Sequence, residues 1–373
     1  MHQSQRRSVV VVGAGPAGLA TSFELGRRGI DHVVLERGPD VGTSWRQFYT
    51  SLVLHTGRHL SSLPGLPFAR SDPLFVPRTR FVEYLERYAR SLGLPVRPGI
   101  EVDSATPTSD GWHVGTSDGA WEARVLIVAT GIASSPRSAS IPGVETFRGS
   151  LRHAASYRDP GPFAGRRVLV VGAGNSGAEI AAELGQAGVV TTIAVRSGVV
   201  VVPLTIGGVP SQYLGIGLRR LPRRIGSPIV RAVIALGRRR RRDGLPPSDR
   251  DPLDVIPIVG MALSDSIRAG RVGLRPAVVA LTATGGRFAD GTEEPIDDVI
   301  LAVGYTAAIA WLGGLVGRDA RGFARRRDRV SSADQVGLLF VGHTYDAGGG
   351  LVNIRRDAGL AATSAAHLLG SRR

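Results

Sequence analysis

Val9-Val10-Val11-Val12-Gly13-Ala14-Gly15-Pro16-Ala17-Gly18 decides the fold of this 373-residue chain. Four β-branched residues in a row read as a short strand buried on both faces, as in a parallel sheet, and they run straight into a G-x-G-x-x-G loop. Leu19 to Arg28 then reads as a helix, and His32-Val33-Val34-Leu35 as a second apolar strand ending in Glu36, 18 residues after Gly18. Strand, glycine loop, helix, strand and acid in that order describe a dinucleotide-binding βαβ unit. Gly13 permits the tight turn, Gly15 lets the backbone approach a pyrophosphate, and Gly18 lets the helix pack closely on the strand. The first helical amides, beyond Pro16 at Ala17 and Gly18, face the phosphates. Glu36, followed by Arg37, can accept hydrogen bonds from a ribose diol and would repel a 2′-phosphate, so the first site suits FAD or NAD better than NADP.

The same theme returns in the second half. Val168-Leu169-Val170-Val171 leads into Gly172-Ala173-Gly174-Asn175-Ser176-Gly177, then a helix through Leu184 and the strand Thr191 to Val195. This strand ends in Arg196-Ser197 instead of an acid, and a guanidinium with a hydroxyl suits the 2′-phosphate of NADP. The fold class expected is therefore α/β, with two dinucleotide-binding Rossmann-like domains. Residues 1–146 and 306–373 are read as an FAD domain and 147–305 as an inserted NADPH domain, carrying a basic and apolar insertion at about 199–255.

All 46 basic residues are arginine, and against 31 acidic residues they leave a net charge of +15. That balance favours phosphate-bearing cofactors, acidic substrates or an anionic surface. No nucleic-acid motif or aromatic platform stands among the arginines, so nucleic acid is not an expected partner. The chain has no cysteine, which excludes disulfides, thiolate metal sites and redox-active dithiols, and no metal is expected. Flavoprotein disulfide reductases share the two-loop architecture but need a dithiol that this chain lacks. Gln5-Arg6-Arg7-Ser8-Val9 looks like a twin-arginine signal, yet the apolar run passes directly into the glycine loop, so a cytoplasmic protein is expected.

Elsewhere, Thr79 to Ser91 reads as an amphipathic helix whose Phe81, Leu85 and Tyr88 face the core. Trp112 to Val114 and Trp121 to Arg124 read as a hairpin or meander, and Val125 to Val128 as a buried strand ending at the Ala129-Thr130-Gly131 turn. Gly198 to Leu218 has no charge, but its prolines and glycines argue against a membrane span. The helix candidate Ile229 to Leu236 is flanked by arginines through Arg242. Basic residues around an apolar helix fit either weak peripheral membrane contact or a solvated basic face near a substrate entrance. The strand Gly337 to Gly342, a glycine loop at Gly348 to Gly350 and a helix at Arg355 to Leu369 can return to the first domain and cover a flavin.

Between the two loops lies Phe147-Arg148-Gly149-Ser150-Leu151-Arg152-His153-Ala154-Ala155-Ser156-Tyr157. Phe147, Gly149, His153 and Tyr157 match the F-x-G-x-x-x-H-x-x-x-[YF] signature of flavin-containing monooxygenases, and the chain resembles that family over nearly its whole length. Leu54-His55 through Leu63-Pro64 resembles the YUCCA-type branch, although Gly57 and Arg58 replace that branch's proline and lysine and Val303 replaces its threonine. The resemblance implies FAD contacts at Thr43, Trp45, Arg46 and the Ala129-Thr130-Gly131 turn, with Gly342 on the closing strand. It implies His55 and Thr56 as flavin neighbours and candidate catalytic groups. His153 is expected to orient the domains or NADP⁺ rather than act as a base. The implied chemistry is reduction of FAD by NADPH, formation of a C4a-peroxyflavin with O₂, and oxygenation of a small organic substrate at nitrogen, sulfur or an α-keto acid centre. A Baeyer-Villiger reaction or an NADPH-dependent flavin reductase remains open at this point.

Overall fold

The computed structural model describes residues 5–346 and 348–371, and the chain divides into two compact units. One comprises Met1–Ser135, Tyr305–Tyr345 and Gly349–Arg373; the other comprises Pro136–Gly304 with Asp346–Gly348. Each is α/β; the first is built around a mixed sheet with a parallel core and the second around a parallel sheet.

In the first unit the strand Gln5–Val12 pairs parallel with His32–Leu35 on one side and Gly119–Val128 on the other. Gly119–Val128 changes partner along its length. Its first half lies antiparallel to Gly111–Thr116, and its second half lies parallel to Leu338–Phe340. The valine run is buried on both faces because successive side chains alternate. Val9 and Val11 pack with the helices Pro16–Gly26, Arg78–Ser91 and Gly350–Gly370. Val10 and Val12 pack with Trp112, Trp121 and Phe340. Burying each such side chain stabilises by about 1.5–3 kcal/mol, so an alternating register is strongly held.

Arg78–Ser91 buries Phe81, Val82, Tyr84, Leu85 and Tyr88 at helical spacing. Two of these aromatics also bind backbone. The Tyr84 hydroxyl donates to Leu66 O at 2.6 Å and accepts from Leu63 N–H at 2.7 Å, and the Tyr88 hydroxyl donates to Pro64 O. The loop that follows the candidate residues His55 and Thr56 is therefore strapped to a core helix.

The second sheet is all parallel, in the order Val272–Arg275, Val190–Ala194, Arg167–Val171, Asp298–Leu301 and Ser150–His153. A three-stranded meander, Val278–Thr282, Gly285–Phe288 and Glu293–Pro295, precedes the Asp298–Leu301 strand.

Three expectations from the sequence change here. Residues 136–146, expected in the first domain, pack in the second unit, where Ile141 is buried with Leu281 and Ile296. Leu281 N–H donates to Pro142 O at 2.7 Å, and a Cβ on Gly143 would lie 2.0 Å from Leu281 O, so only glycine admits that contact. The last helix begins at Gly350, five residues before the expected Arg355, directly out of the glycine loop. The insertion helix runs Arg223–Arg241, well beyond Ile229 to Leu236, because arginine is a good helix former and carries the turns at both ends. Among the described residues, no helix is long and apolar enough to cross a membrane.

Candidate functional site: two dinucleotide loops

The two glycine loops adopt the same backbone conformation. Gly13 has φ +101° and Gly172 has φ +104°. Gly15 (φ −77°, ψ −174°) and Gly174 (φ −77°, ψ −178°) stand as N-caps of the helices Pro16–Gly26 and Asn175–Gln186. The steric reasons also repeat. A Cβ on Gly18 would lie 1.8 Å from Gly13 O, and one on Gly177 would lie 2.0 Å from Gly172 O. Gly13 is crowded by Ala129 O at 2.8 Å and Gly172 by Ala302 O at 2.7 Å. At Gly15 and Gly174, by contrast, a Cβ would meet no protein atom within 4 Å. Neither helix has a side-chain cap, so each first turn presents backbone amides to open space. That is the shape a pyrophosphate requires, and both loops fit the group.

Around the first loop, Glu36 is fixed by two backbone amides. Ala14 N–H donates to Oε2 at 2.7 Å and Gly38 N–H to Oε1 at 2.8 Å. A carboxylate has about four acceptor positions, so capacity remains for a ribose diol. Gly42 N–H donates to Ala14 O at 3.0 Å, which brings the short helix Thr43–Arg46 to the loop. Thr43 Oγ1 itself donates to Asp40 O at 2.7 Å. Ala129 packs against Gly13 and Gly18. Thr130 Oγ1 donates to Ala308 O at 2.8 Å, and Gly131 turns with φ +66°. Gly342 closes the group, since a Cβ there would lie 3.1 Å from the Ala17 Cβ.

Other residues assigned to FAD lie apart from these contacts. The Trp45 ring meets Phe81 edge-on at 4.5 Å and serves the aromatic core. Arg46 is ion-paired with Asp40 at 3.1 Å and with Glu86. Arg37 reaches the exposed Glu101 at 3.4 Å. His55 and Thr56 lie half-buried on the strand Val53–Gly57, where the Thr56 hydroxyl is bonded to the Ser61 hydroxyl.

In the second unit Arg196 and Ser197 are solvent-exposed one residue past the buried Val195. The Asn175 side chain is committed to protein: Nδ2 donates to Pro257 O at 2.9 Å and Oδ1 accepts from Val259 N–H at 2.8 Å. It ties the segment after the insertion to the glycine loop, and the first-turn amides of Asn175, Ser176 and Gly177 have no side-chain cap.

The linking signature resolves into four separate tasks. Phe147 packs on the second core, and Gly149 has no room for a side chain between Phe147 and Asp297 O. His153 Nδ1 accepts from Ala155 N–H at 3.0 Å and Nε2 donates to Gly304 O at 3.1 Å. Burial holds its pKa below the usual histidine value, against the opposing Gly304 bond, so the ring is neutral. The buried Tyr157 hydroxyl donates to Glu183 Oε2 at 2.9 Å on the Asn175–Gln186 helix, and burial raises its pKa.

One residue beside the first site escaped the sequence. His343 follows Gly342, is 2% exposed, and lies tilted 5.0 Å from the Phe340 ring and edge-on 5.8 Å from the Phe323 ring. Neither ring nitrogen has a protein hydrogen-bond partner among the described residues. Burial, and then the Arg326 guanidinium, lower its pKa to about 3, with Asp319 opposing. Arg326 donates to His343 O at 3.1 Å, and Asn353 Nδ2 donates to Thr344 O at 3.2 Å, so the backbone after Gly342 is pinned. A lone histidine after an apolar run gives no spacing signal that would have marked it. No cluster of groups able to hold a metal occurs among the described residues.

Two glycine loops of one geometry, each following a strand with parallel neighbours on both sides, define a two-dinucleotide oxidoreductase. Residues 10–201 match the family described as pyridine nucleotide-disulphide oxidoreductase. The chain is 34% identical over 366 residues to the indole-3-pyruvate monooxygenase YUCCA1 of Oryza sativa subsp. japonica, covering 94% of this chain and 89% of that one. A flavin-containing monooxygenase from Stenotrophomonas maltophilia superposes with a TM-score of 0.79 at 27% identity, covering 98% of this chain and 100% of that one. Cyclohexanone monooxygenase shares the fold, with a TM-score of 0.71 at 18% identity over 99% of this chain and 89% of that one. The chain belongs to the YUCCA-type flavin monooxygenases within the pyridine nucleotide-disulphide oxidoreductase family. It is an FAD- and NADPH-dependent monooxygenase, and the disulphide chemistry in the family's description has no cysteine here to perform it.

Proposed function

We propose that the enzyme oxygenates a small anionic organic substrate, foremost an α-keto acid that it decarboxylates oxidatively. The observation that carries this reading is the 34% identity to the rice indole-3-pyruvate monooxygenase across 94% of the chain. The net charge of +15 supports an acidic substrate, though it selects no particular one. The balanced reaction consumes the keto acid, O₂, NADPH and a proton, and yields the shortened acid, CO₂, NADP⁺ and water.

We assign FAD to the first unit and NADPH to the second. When bound, these cofactors supply the electrons and activate dioxygen; the protein binds, orients and excludes water. The amides after Gly15 and Gly174 hold the two pyrophosphates. Glu36 takes the ribose of FAD, and its negative charge opposes a 2′-phosphate there. Arg196 and Ser197 take the 2′-phosphate of NADPH by charge-assisted hydrogen bonds. His153 positions the second loop through Gly304, and His55 with Thr56 borders the reaction space. The reading carries with it a cytoplasmic working compartment, where NADPH is regenerated.

The test is a coupling measurement on the purified yellow protein. With NADPH and a panel of α-keto acids, amines, sulfides and ketones, a keto acid should give one CO₂ per NADPH and little hydrogen peroxide. Lactone formation from a ketone would replace this reading with a Baeyer-Villiger one. Stoichiometric peroxide with every compound would replace it with a flavin reductase.

A further inference from the structure

The helix Arg223–Arg241 has two apolar faces, and only one is used by the fold. Gly226 and Ser227 are buried, and Val230, Ile234 and Gly237 are half-buried on the inner side. Ile225, Ile229, Val233 and Leu236 are 42–54% exposed. Their spacing of four, four and three residues places them within an arc of about 80° on the outer side. A helix whose amphipathicity served the core alone would turn these aliphatic side chains inward.

The charge carried by the segment itself has one sign, with Asp251 and Asp254 facing the start of the helix from the chain that follows. Residues 198–242 contain ten arginines and no aspartate or glutamate. Three of them turn to the protein: Arg219 donates to Leu253 O, Arg223 pairs with Asp254 at 2.6 Å, and the buried Arg241 pairs with Asp243 at 3.1 Å. Arg224, Arg231 and Arg238 recur every seventh residue on the side of the helix away from the stripe, while the exposed Arg239 and Arg240 stand beside it in the last turn. An apolar stripe with arginines beside its last turn and across the opposite face matches a lipid interface, where the aliphatics enter the acyl boundary and the guanidinium groups reach the phosphates. A nucleic acid would engage the arginines but gain nothing from four exposed aliphatics.

We propose that the helix Arg223–Arg241 docks the enzyme on an anionic lipid bilayer, lying in its surface with Ile225, Ile229, Val233 and Leu236 inserted. The full-length holoenzyme is sedimented with vesicles of phosphatidylcholine, with and without phosphatidylglycerol. It should pellet with the anionic vesicles, not with phosphatidylcholine alone, and release as salt rises. Ile229→Asp with Val233→Asp should weaken partition at least about tenfold. Arg238→Gln, Arg239→Gln and Arg240→Gln together should weaken it by about a hundredfold, each arginine near the surface contributing about fivefold. Both variants should retain bound FAD and the vesicle-free rate of NADPH oxidation; should the aspartates cost FAD, Ile229→Ser with Val233→Ser carries the same test. The proposal is overturned if the wild-type protein stays in the supernatant with anionic vesicles. It is equally overturned if pelleting is unchanged by loss of the apolar stripe, which would mark a bare polyanion site of the kind a nucleic acid uses.

Discussion

His153 donates to Gly304 O at 3.1 Å while its other ring nitrogen accepts from Ala155 N–H, so the hydrogen bonds themselves dictate a neutral Nε2–H tautomer. Gly304 ends the turn that follows Asp298–Leu301, and Ala302 in that turn packs directly on Gly172 and Gly177. His153 therefore acts on the second nucleotide loop at one remove. His153→Ala should raise the KM for NADPH about two- to tenfold, the value of a net hydrogen bond, with kcat and FAD content little changed. His153→Gln should recover part of the loss. Steady-state kinetics with NADPH titrated decide it, and a fall in kcat at constant KM would instead put the histidine in the chemistry.

The glycines of each loop separate into folding and binding positions. Gly18→Ala forces a Cβ to within 1.8 Å of Gly13 O and should destabilise the protein by about 1–3 kcal/mol or more. Gly15→Ala meets no protein atom within 4 Å and keeps an ordinary φ of −77°, so its melting temperature without cofactor should match the wild type while bound FAD falls sharply. Gly174→Ala should do the same to NADPH affinity and leave FAD in place. Thermal melts beside flavin content measure both, and full FAD occupancy in Gly15→Ala would remove the pyrophosphate from that loop.

The βαβ units were legible because glycine spacing and valine runs encode backbone geometry directly, and Gly13 and Gly172 turn as the motif requires. Partners that are backbone atoms were not legible. Nothing in the sequence says that Glu36 is held by the amides of Ala14 and Gly38, or that His153 seeks the carbonyl of Gly304. Helical periodicity found the insertion helix but could not tell an outward apolar stripe from an inward one, because both repeat at the same interval. The segment around Gly143 was misplaced for a related reason, since its attachment is a backbone contact with Leu281.

His343 makes acid stability measurable at one residue. Its folded pKa, about 3, lies below the unfolded value of about 6.5, so the unfolded chain binds the proton more readily. The associated stability is complete above pH ~6.5 and is lost as pH falls, at about 1.4 kcal/mol per unit, or roughly 2 kcal/mol by pH 5. His343→Phe keeps a ring between Phe340 and Phe323 and removes two unpartnered nitrogens, so it should be neutral or stabilising near pH 8 and flatten the acid limb. Urea midpoints at several pH values test this. An acid limb as steep in His343→Phe as in the wild type would assign it to His32 and His153, whose pKa values burial also lowers.

Cofactor choice should rest on the two residues that end the second strands of the two βαβ units. Glu36 is anchored by backbone amides, whereas Arg196 stands exposed past the buried Val195, so it can be replaced without rearranging the core. A charge-assisted hydrogen bond is worth about 1.5–3 kcal/mol, so Arg196→Ala should weaken NADPH relative to NADH by about 10- to 150-fold. Because the side chain is exposed, the melting temperature should not move. Arg196→Glu should go further and make NADH the better donor, since a carboxylate repels the 2′-phosphate and accepts the ribose diol, as Glu36 is assigned to do in the first unit. The ratio of kcat/KM for the two nucleotides reads the effect directly. An unchanged ratio in both variants would take Arg196 out of the NADPH site.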